Sequence, residues 1–462
     1  MSNPAHSLNR FVLAVVRLGL AMEHIFAGIM IIWCSDAFLT LHQMNGSNLA
    51  GRCQYYGFPL LALTCLVLMW LRWPRSIPVI QEGKFILLFV GFVLLSTLWS
   101  TDASYTREEG IYLLQTTLYG AYLPTRYTFK QETDLFNWVF GIVALSCILY
   151  VFGNPSLGVM DASLAAELDG KWRGVFKHKN VLGSIAATMA PFLLSKAMTA
   201  SKRQWLWWGF FGLTVMLIFG ADSKTAVVGF LFLMMMSPFH RIFRWNLAIC
   251  VPLYLIGLML GGIGLQLLID NWYAAMDFLN KPPDLNGRFP LWAIVFEAVQ
   301  DRPWLGYGFH GLWHSEWGVY IHEVIPWKPN HAHNGFLDVL ADFGIVGFML
   351  FAIALFNVLF RSIKWVRCFP SVEGVWPIAY LTYLLLQNVA NSNLIVPHTL
   401  YWLLFSVISF TPFPKGNERP EPIDKLPINS VPISTKNIQK HYHYPDISSF
   451  NRFDKGRSKT KS

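Results

Sequence analysis

Apolar residues in this chain come in long blocks that recur from one end to the other. One runs from Phe11 to Trp33, another from Gly335 to Phe360. A block of about 17 to 25 apolar residues is the length a helix needs to cross a bilayer. Backbone polar groups have no water to bond with in hydrocarbon, so such blocks restrict the fold to helices that satisfy themselves. Composition agrees: 54% of the 462 residues are hydrophobic and 14% are charged. Soluble domains carry roughly 25% charged residues. The expectation is an all-α, polytopic integral membrane protein rather than a soluble protein with a large core.

The length rule gives about twelve transmembrane helices. They lie near 11–33, 57–73, 85–100, 109–125, 135–153, 181–199, 205–220, 225–239, 247–270, 335–360, 375–390 and 397–411. No small-residue cleavage pattern follows the first span, which is expected to stay as an anchor. Residues 1–411 form the membrane domain. Residues 412–462 turn rich in Pro, Lys, Ser and Asn and read as a basic, disordered cytoplasmic tail.

Orientation follows from Lys and Arg in the short loops. With the N-terminus inside, the inner loops carry Arg72 and Arg75, Arg126 and Lys130, Lys196, Lys202 and Arg203, Arg241 and Arg244, and Arg361, Lys364 and Arg367. The net charge of +9 is therefore mostly a topology signal. Basic residues scattered over loops do not make a nucleic-acid patch. The six cysteines show no CxxC spacing. Cys34 and Cys53 share the first outer loop and could pair; small apolar filling is the commoner use of a membrane cysteine.

Two outer segments break the charge rule. "KWRGVFKHKN", residues 171–180, holds Lys171, Arg173, Lys177, His178 and Lys179. A miscounted span would explain it. So would an anion site, with Asn180 capping the next helix and its N–H groups adding to the site. The second segment is the long outer loop 271–333. Within it Phe289, Trp292, Val295, Phe296 and Val299 recur at helical spacing, as in an amphipathic helix at the membrane surface. Arg288 starts that helix, and an arginine fork matches phosphate oxygens.

The loop ends in "HAHNGF", with His331 and His333 at the mouth of the tenth span. Asn334, Asp338 and Asp342 follow at i, i+4 and i+8, a polar stripe on one helix face. Ionisable groups in a spanning helix face a bundle interior or a wet cavity. Gly344 and Gly347 would admit a close neighbour helix. An imidazole at the outer end of such a face can take a proton near neutral pH, or it can simply cap the helix. A histidine-rich loop can also hold zinc, although the "HE" at 322–323 lacks the second histidine of HExxH.

Three segments, "RGVFKHKNVLG", "GRFPLW…DRPWLGYGF" and "HAHNGFLDVLADFGIVGF", in this order over roughly 170–360, resemble the O-antigen ligase and polymerase family. The "HKN" at 178–180 leans toward its exopolysaccharide polymerase branch. The resemblance implies a membrane glycosyltransferase, GT-C-like, with no cofactor and no required metal. It would act at the periplasmic face of the bacterial inner membrane. Its donor would be a glycan on undecaprenyl diphosphate, its acceptor a second glycan or lipid A core, and other polysaccharide assembly proteins its partners. Carried over residue by residue, His333 becomes the base for the acceptor hydroxyl, and Arg288 acts on the carrier diphosphate. Substrate binding falls to Arg173, Lys177, His178, Lys179, Asn180, Tyr307, His331, Asn334 and Asp338. Two other classes use the same residue types: a transporter of an anion such as bicarbonate or of a lipid-linked glycan, and a structural subunit of a polysaccharide machine.

Overall fold

The computed structural model describes residues 4–37, 49–161, 168–237, 239–245, 287–369 and 371–413, with scattered positions between 248 and 277. The ninth expected span, the tail and Cys53 lie largely outside the described residues or side chains.

The described residues are helical, apart from turns and one isolated bridge between Val159 and Trp172. In chain order the helices are α1 (Pro4–Cys34), α2 (Leu49–Leu71), α3 (Trp73–Glu82), α4 (Lys84–Leu95), α5 (Ala103–Arg126), α6 (Phe129–Gly153) and α7 (Lys179–Thr199). There follow α8 (Gln204–Gly220), α9 (Lys224–Met236), α10 (Arg288–Asp301), α11 (Glu316–Val324), α12 (Gly335–Cys368), α13 (Trp376–Gln387) and α14 (Leu400–Phe410). Short polar side chains start several of them. Asp102 accepts from the Tyr105 amide at the head of α5, and Thr128 and Gln131 form a reciprocal capping box on α6.

Among the described residues four helical stretches are long and apolar enough to cross a membrane: Arg17–Cys34, Phe129–Gly153, Lys179–Thr199 and Gly335–Cys368. The pair Tyr56–Leu71 and Trp73–Glu82 passes the same test only when taken together, and it is bent by 112°, as in a broken span or a re-entrant loop. The bend falls at Arg72, where Pro74 in the first turn of α3 has no amide to continue the helix. The remaining apolar helices, α4, α8, α9 and α14, are shorter.

Aromatic residues fill the bundle. Phe129 stacks on Trp365 at 4.2 Å between centroids, and Trp376 on Phe192 at 4.4 Å. Large apolar side chains also stand exposed on the outer faces, among them Leu18, Trp70, Leu149, Phe152 and Phe360. In water such a surface would drive association; in hydrocarbon it is the expected exterior. Four of the basic residues assigned to the inner side are clasped by carboxylates. Arg72 and Arg126 both reach Glu23 at 2.8 and 2.9 Å, Lys196 bonds Asp134, and Arg361 bonds Glu82.

Helix α12 is interrupted. Gly344 leaves helical geometry at φ 61°, ψ −166°, which strands carbonyls and amides on either side. The segment Pro303–Gly308 repairs the gap. Tyr307 and Gly308 amides donate to the carbonyls of Ala341 and Asp342, and the Ile345 and Val346 amides donate to Pro303 and Trp304. Non-helical backbone at membrane depth survives only when other protein satisfies it in this way. The contact is backbone to backbone. A Cβ on Gly306 would come within 2.5 Å of the Ala341 carbonyl oxygen, and one on Gly344 within 2.3 Å of Trp304. Gly344 therefore breaks its helix instead of admitting a neighbouring one. Gly347 does make the expected close approach, against Phe92.

Candidate functional site

Residues far apart in sequence converge on one cavity of about 1170 Å³. The turn before α7 supplies Lys177, His178, Lys179 and Asn180; the turn into α9 supplies Asp222 and Lys224. Arg288 arrives from the start of α10, and His331 and His333 from the strap that enters α12. The N-termini of α7, α9, α10 and α14 all lie at this wall. A helix N-terminus carries partial positive charge and free amides, so the backbone adds to the lysines and the arginine in favouring an anion.

The strap is held by bonds from both sides. The Ala332 amide donates to Asp338 at 2.8 Å, and Ser392 bonds the other oxygen of the same carboxylate. The Gly335 amide donates to the carbonyls of Asn388 and Asn391. His333 itself sits in the left-handed region at φ 51°. Such a conformation costs a non-glycine residue about 1–3 kcal/mol and persists only where its surroundings dictate it. Its amide donates to Nδ1 of His331 at 3.2 Å, the two rings lie 4.0 Å apart, and Trp327 packs edge-on to His333. Burial first, then the nearby His331 and Arg288, push His333 down to about 3. Burial and Arg288 lower His331 as well. Both imidazoles are thus neutral at pH 7, with an open lone pair on His333 available to a proton.

Arg288 is part-buried, and its Nη1 donates to the Ala390 carbonyl at 2.7 Å. That bond holds the side chain beside the histidines. Of α10's aromatic stripe, Val295 and Val299 are buried, but Phe289 and Phe296 are 41% and 52% exposed. The buried face is Leu291, Val295, Ala298 and Val299, rotated from the expected one because α10 packs on α12 and α11 through its small and aliphatic side.

Four residues expected to bind substrate do not line the cavity. Arg173 is 4% exposed and donates to the carbonyls of Ser156 and Leu157 at 3.1 and 2.8 Å. It organises the turn that presents Lys177 to Asn180. Gly174 beside it needs φ +58°, and a Cβ there would strike Cys147. Tyr307 is buried with its hydroxyl on the Ala298 carbonyl. Asn334 spends its side chain capping α12 through the amides of Phe336 and Leu337. Asp338 ties the strap to residue 392. Asp342, the last of the polar stripe, is 3% exposed, and its Oδ1 has no partner among the described residues. The cap of α7 is His178, whose Nδ1 accepts from the Asn180 amide, and Asn180 is the second residue of the helix.

Cavity residues that sequence reasoning missed come mainly from the loop after α13. Asn391, Ser392, Asn393 and His398 line it, together with Asp36, Glu109 and Tyr112. The polar run "NVANSN" at 388–393, inside an otherwise apolar stretch, was the available signal. Among the described residues no three His, Cys, Asp or Glu are grouped to hold a metal ion. Cys34 is a free, buried thiol.

Residues 210–352 match the family model described as O-antigen ligase. The match spans α8 through the break in α12 and includes Arg288, His331 and His333, but not the 177–180 turn or the 388–398 loop. It bears out the resemblance at the level of the family and does not separate the polymerase branch. No curated protein matches the chain.

Proposed function

For a multi-pass membrane protein that carries an O-antigen ligase segment, we propose transfer of a glycan from undecaprenyl diphosphate to a glycan acceptor, in exopolysaccharide or O-antigen synthesis. The observation that carries this is the convergence of Lys177, Lys179, Lys224 and Arg288 with a neutral His333 in one cavity. In the proposed step His333 removes the proton from an acceptor hydroxyl. That oxygen bonds to the anomeric carbon as its bond to phosphate breaks, and the electron pair leaves on the diphosphate. Cations fixed where that charge develops stabilise the transition state without a metal. The arriving diphosphate also offsets Arg288, one of the charges that hold His333's proton affinity down. Arg173 acts at one remove, by presenting the 177–180 turn.

The finer reading is a bundle of about twelve spans in a GT-C-like arrangement in the inner membrane, with the cavity facing the periplasm. Polymerase is favoured over ligase on the "HKN" sequence at 178–180. The test is the full chain in vesicles with a lipid-diphosphate-linked oligosaccharide and a short glycan acceptor. Extended acceptor with equimolar release of the carrier, unchanged by a chelator, is the expected result. Coupled flux of the glycan with no new linkage would make it a transporter instead. Deleting the chain in its host separates the rest: accumulated single repeat units mean polymerase, and free capped polymer with bare lipid A core means ligase.

A further inference from the structure

The peptide unit that joins Ala332 to His333 is gripped at both ends. Its carbonyl accepts the indole N–H of Trp292 at 2.7 Å, and its amide donates to Nδ1 of His331 at 3.2 Å. Ala332 itself is fully buried, in the same cluster as Leu291 and Val295 of α10. Trp292 lies one turn after Arg288 in α10, so one helix carries both a cavity cation and a bond to the strap. The start of that helix meets the strap at a second point. A Cβ on Gly287 would come within 3.2 Å of the Trp327 indole nitrogen, and the Trp327 ring is the one edge-on to His333 at 5.0 Å. The plane of the 332–333 peptide sets the rotation at the next bond, and there His333 is held at φ 51°, where a non-glycine residue does not rest by preference.

We infer that Trp292 is a positioning residue for His333: its indole N–H fixes the plane of the 332–333 peptide, and that plane holds the His333 ring in the cavity beside Arg288. The kinetic consequence, though not the geometry, rests on the glycan-transfer reading of the cavity. Packing alone does not call for an indole at 292. A phenyl ring would fill much of the same space, but the strap uses the N–H. Without that bond the Ala332 carbonyl loses its partner, the peptide can turn, and φ at His333 can relax to negative values. The ring then swings away from His331 and Arg288. A reacting group misplaced by about 1 Å loses about 100-fold in rate, while substrates bind as before. Trp292 therefore acts through His333 and touches no reacting atom.

The experiment uses the full chain in nanodiscs. Trp292 is replaced by Phe and, in a second protein, by benzothienylalanine, an indole isostere with sulfur in place of the N–H. Trp317→Phe is the control, because it removes an indole bond of the same kind, to Asp301 at 2.8 Å, elsewhere in the loop. The first readout needs no turnover: carbethoxylation of His333 by diethyl pyrocarbonate, read by peptide mass, which follows the unprotonated ring. In wild type, burial, His331 and Arg288 hold the proton affinity of the ring down, so the rate should stay level from about pH 8 to about pH 5. Both Trp292 replacements should free the ring into water. The rate should then rise at the alkaline end and fall through the ordinary histidine range near 6.5. The second readout is transfer kinetics. Both replacements should lower kcat about 100-fold and leave KM for the lipid-diphosphate donor within about twofold. Trp317→Phe should match wild type in both readouts. An unchanged His333 profile in both folded replacements would overturn the positioning role. A shift with Phe but not with the isostere would overturn it too, by tracing the effect to ring shape, and so would an equal shift in Trp317→Phe, the mark of a general packing defect. If wild type gives no transfer and the His333 profile still shifts as stated, the proposed reaction falls and the role of Trp292 stands.

Discussion

His333 combines a strained backbone, a neutral ring and two nearby groups that repel a proton. A positioned general base contributes about 100- to 10,000-fold in rate. His333→Ala should therefore lose that much turnover while the protein still accumulates, and His331→Ala should keep appreciable activity. Near-normal turnover by His333→Ala would remove the base from the mechanism. The pH profile gives a second handle. The base must be unprotonated, so the rate falls as pH drops through its pKa. With His333 pushed down to about 3, the acid limb of kcat/KM in the free protein should lie well below the ordinary histidine range near 6.5. Replacing His331 by Gln removes one of the groups that oppose protonation, so the limb should move to higher pH. A limb that stays near 6.5 in both proteins would assign the titration to another group. Arg288→Lys keeps the charge and loses the fork. It should cost about 10- to 100-fold in kcat/KM, the weight of one charge-assisted hydrogen bond.

At the scale of elements, the break in α12 ties the chemistry to the fold. The strap carrying His333 leads directly into the short segment 335–343, and the segment 303–308 fixes where that piece ends. Glycine is required there for two separate reasons: φ and ψ at Gly344 are open to little else, and Gly306 meets carbonyl oxygens where a Cβ would go. Gly344→Ala and Gly306→Ala should each destabilise by roughly 2 kcal/mol or more, with turnover lost before global unfolding. Gly209→Ala and Gly212→Ala are the controls. Both lie in α8 with open space at the Cβ position, and alanine should be neutral or slightly stabilising there. Thermal melting in detergent measures all four; equal melting temperatures for Gly344→Ala and the controls would mean that the break is dispensable.

For the whole molecule, the proposal requires the cavity to face the compartment opposite the basic loops. Glu323 in α11 and Lys202 between α7 and α8 are both exposed and belong to opposite sides in that topology. In a background without native cysteines, a cysteine at 323 should react with an impermeant reagent in intact cells. One at 202 should react only after permeabilisation. The reverse pattern would put His333 and Arg288 on the cytoplasmic side and end the periplasmic reading.

The helical, membrane-type architecture was legible from sequence because it rests on local quantities: block length, charge depletion and the placement of Lys and Arg. Lys177, His178, Lys179, Asn180, Arg288, His331 and His333 were legible as candidates, since polar residues that break an apolar or charge pattern need a reason to be there, and all seven line the cavity. What a polar side chain bonds to is not local, and the tertiary structure alone decided it. Arg173, Asn334 and Asp338 look in sequence like ligands for a substrate, yet nearby carbonyls and amides consume them. Asp36, Tyr112 and His398 look like ordinary loop and helix residues, yet segments from opposite ends of the membrane domain bring them to one cavity. A break in α12 repaired by a segment some 40 residues upstream is likewise a pairing of distant backbones, and no periodicity encodes it.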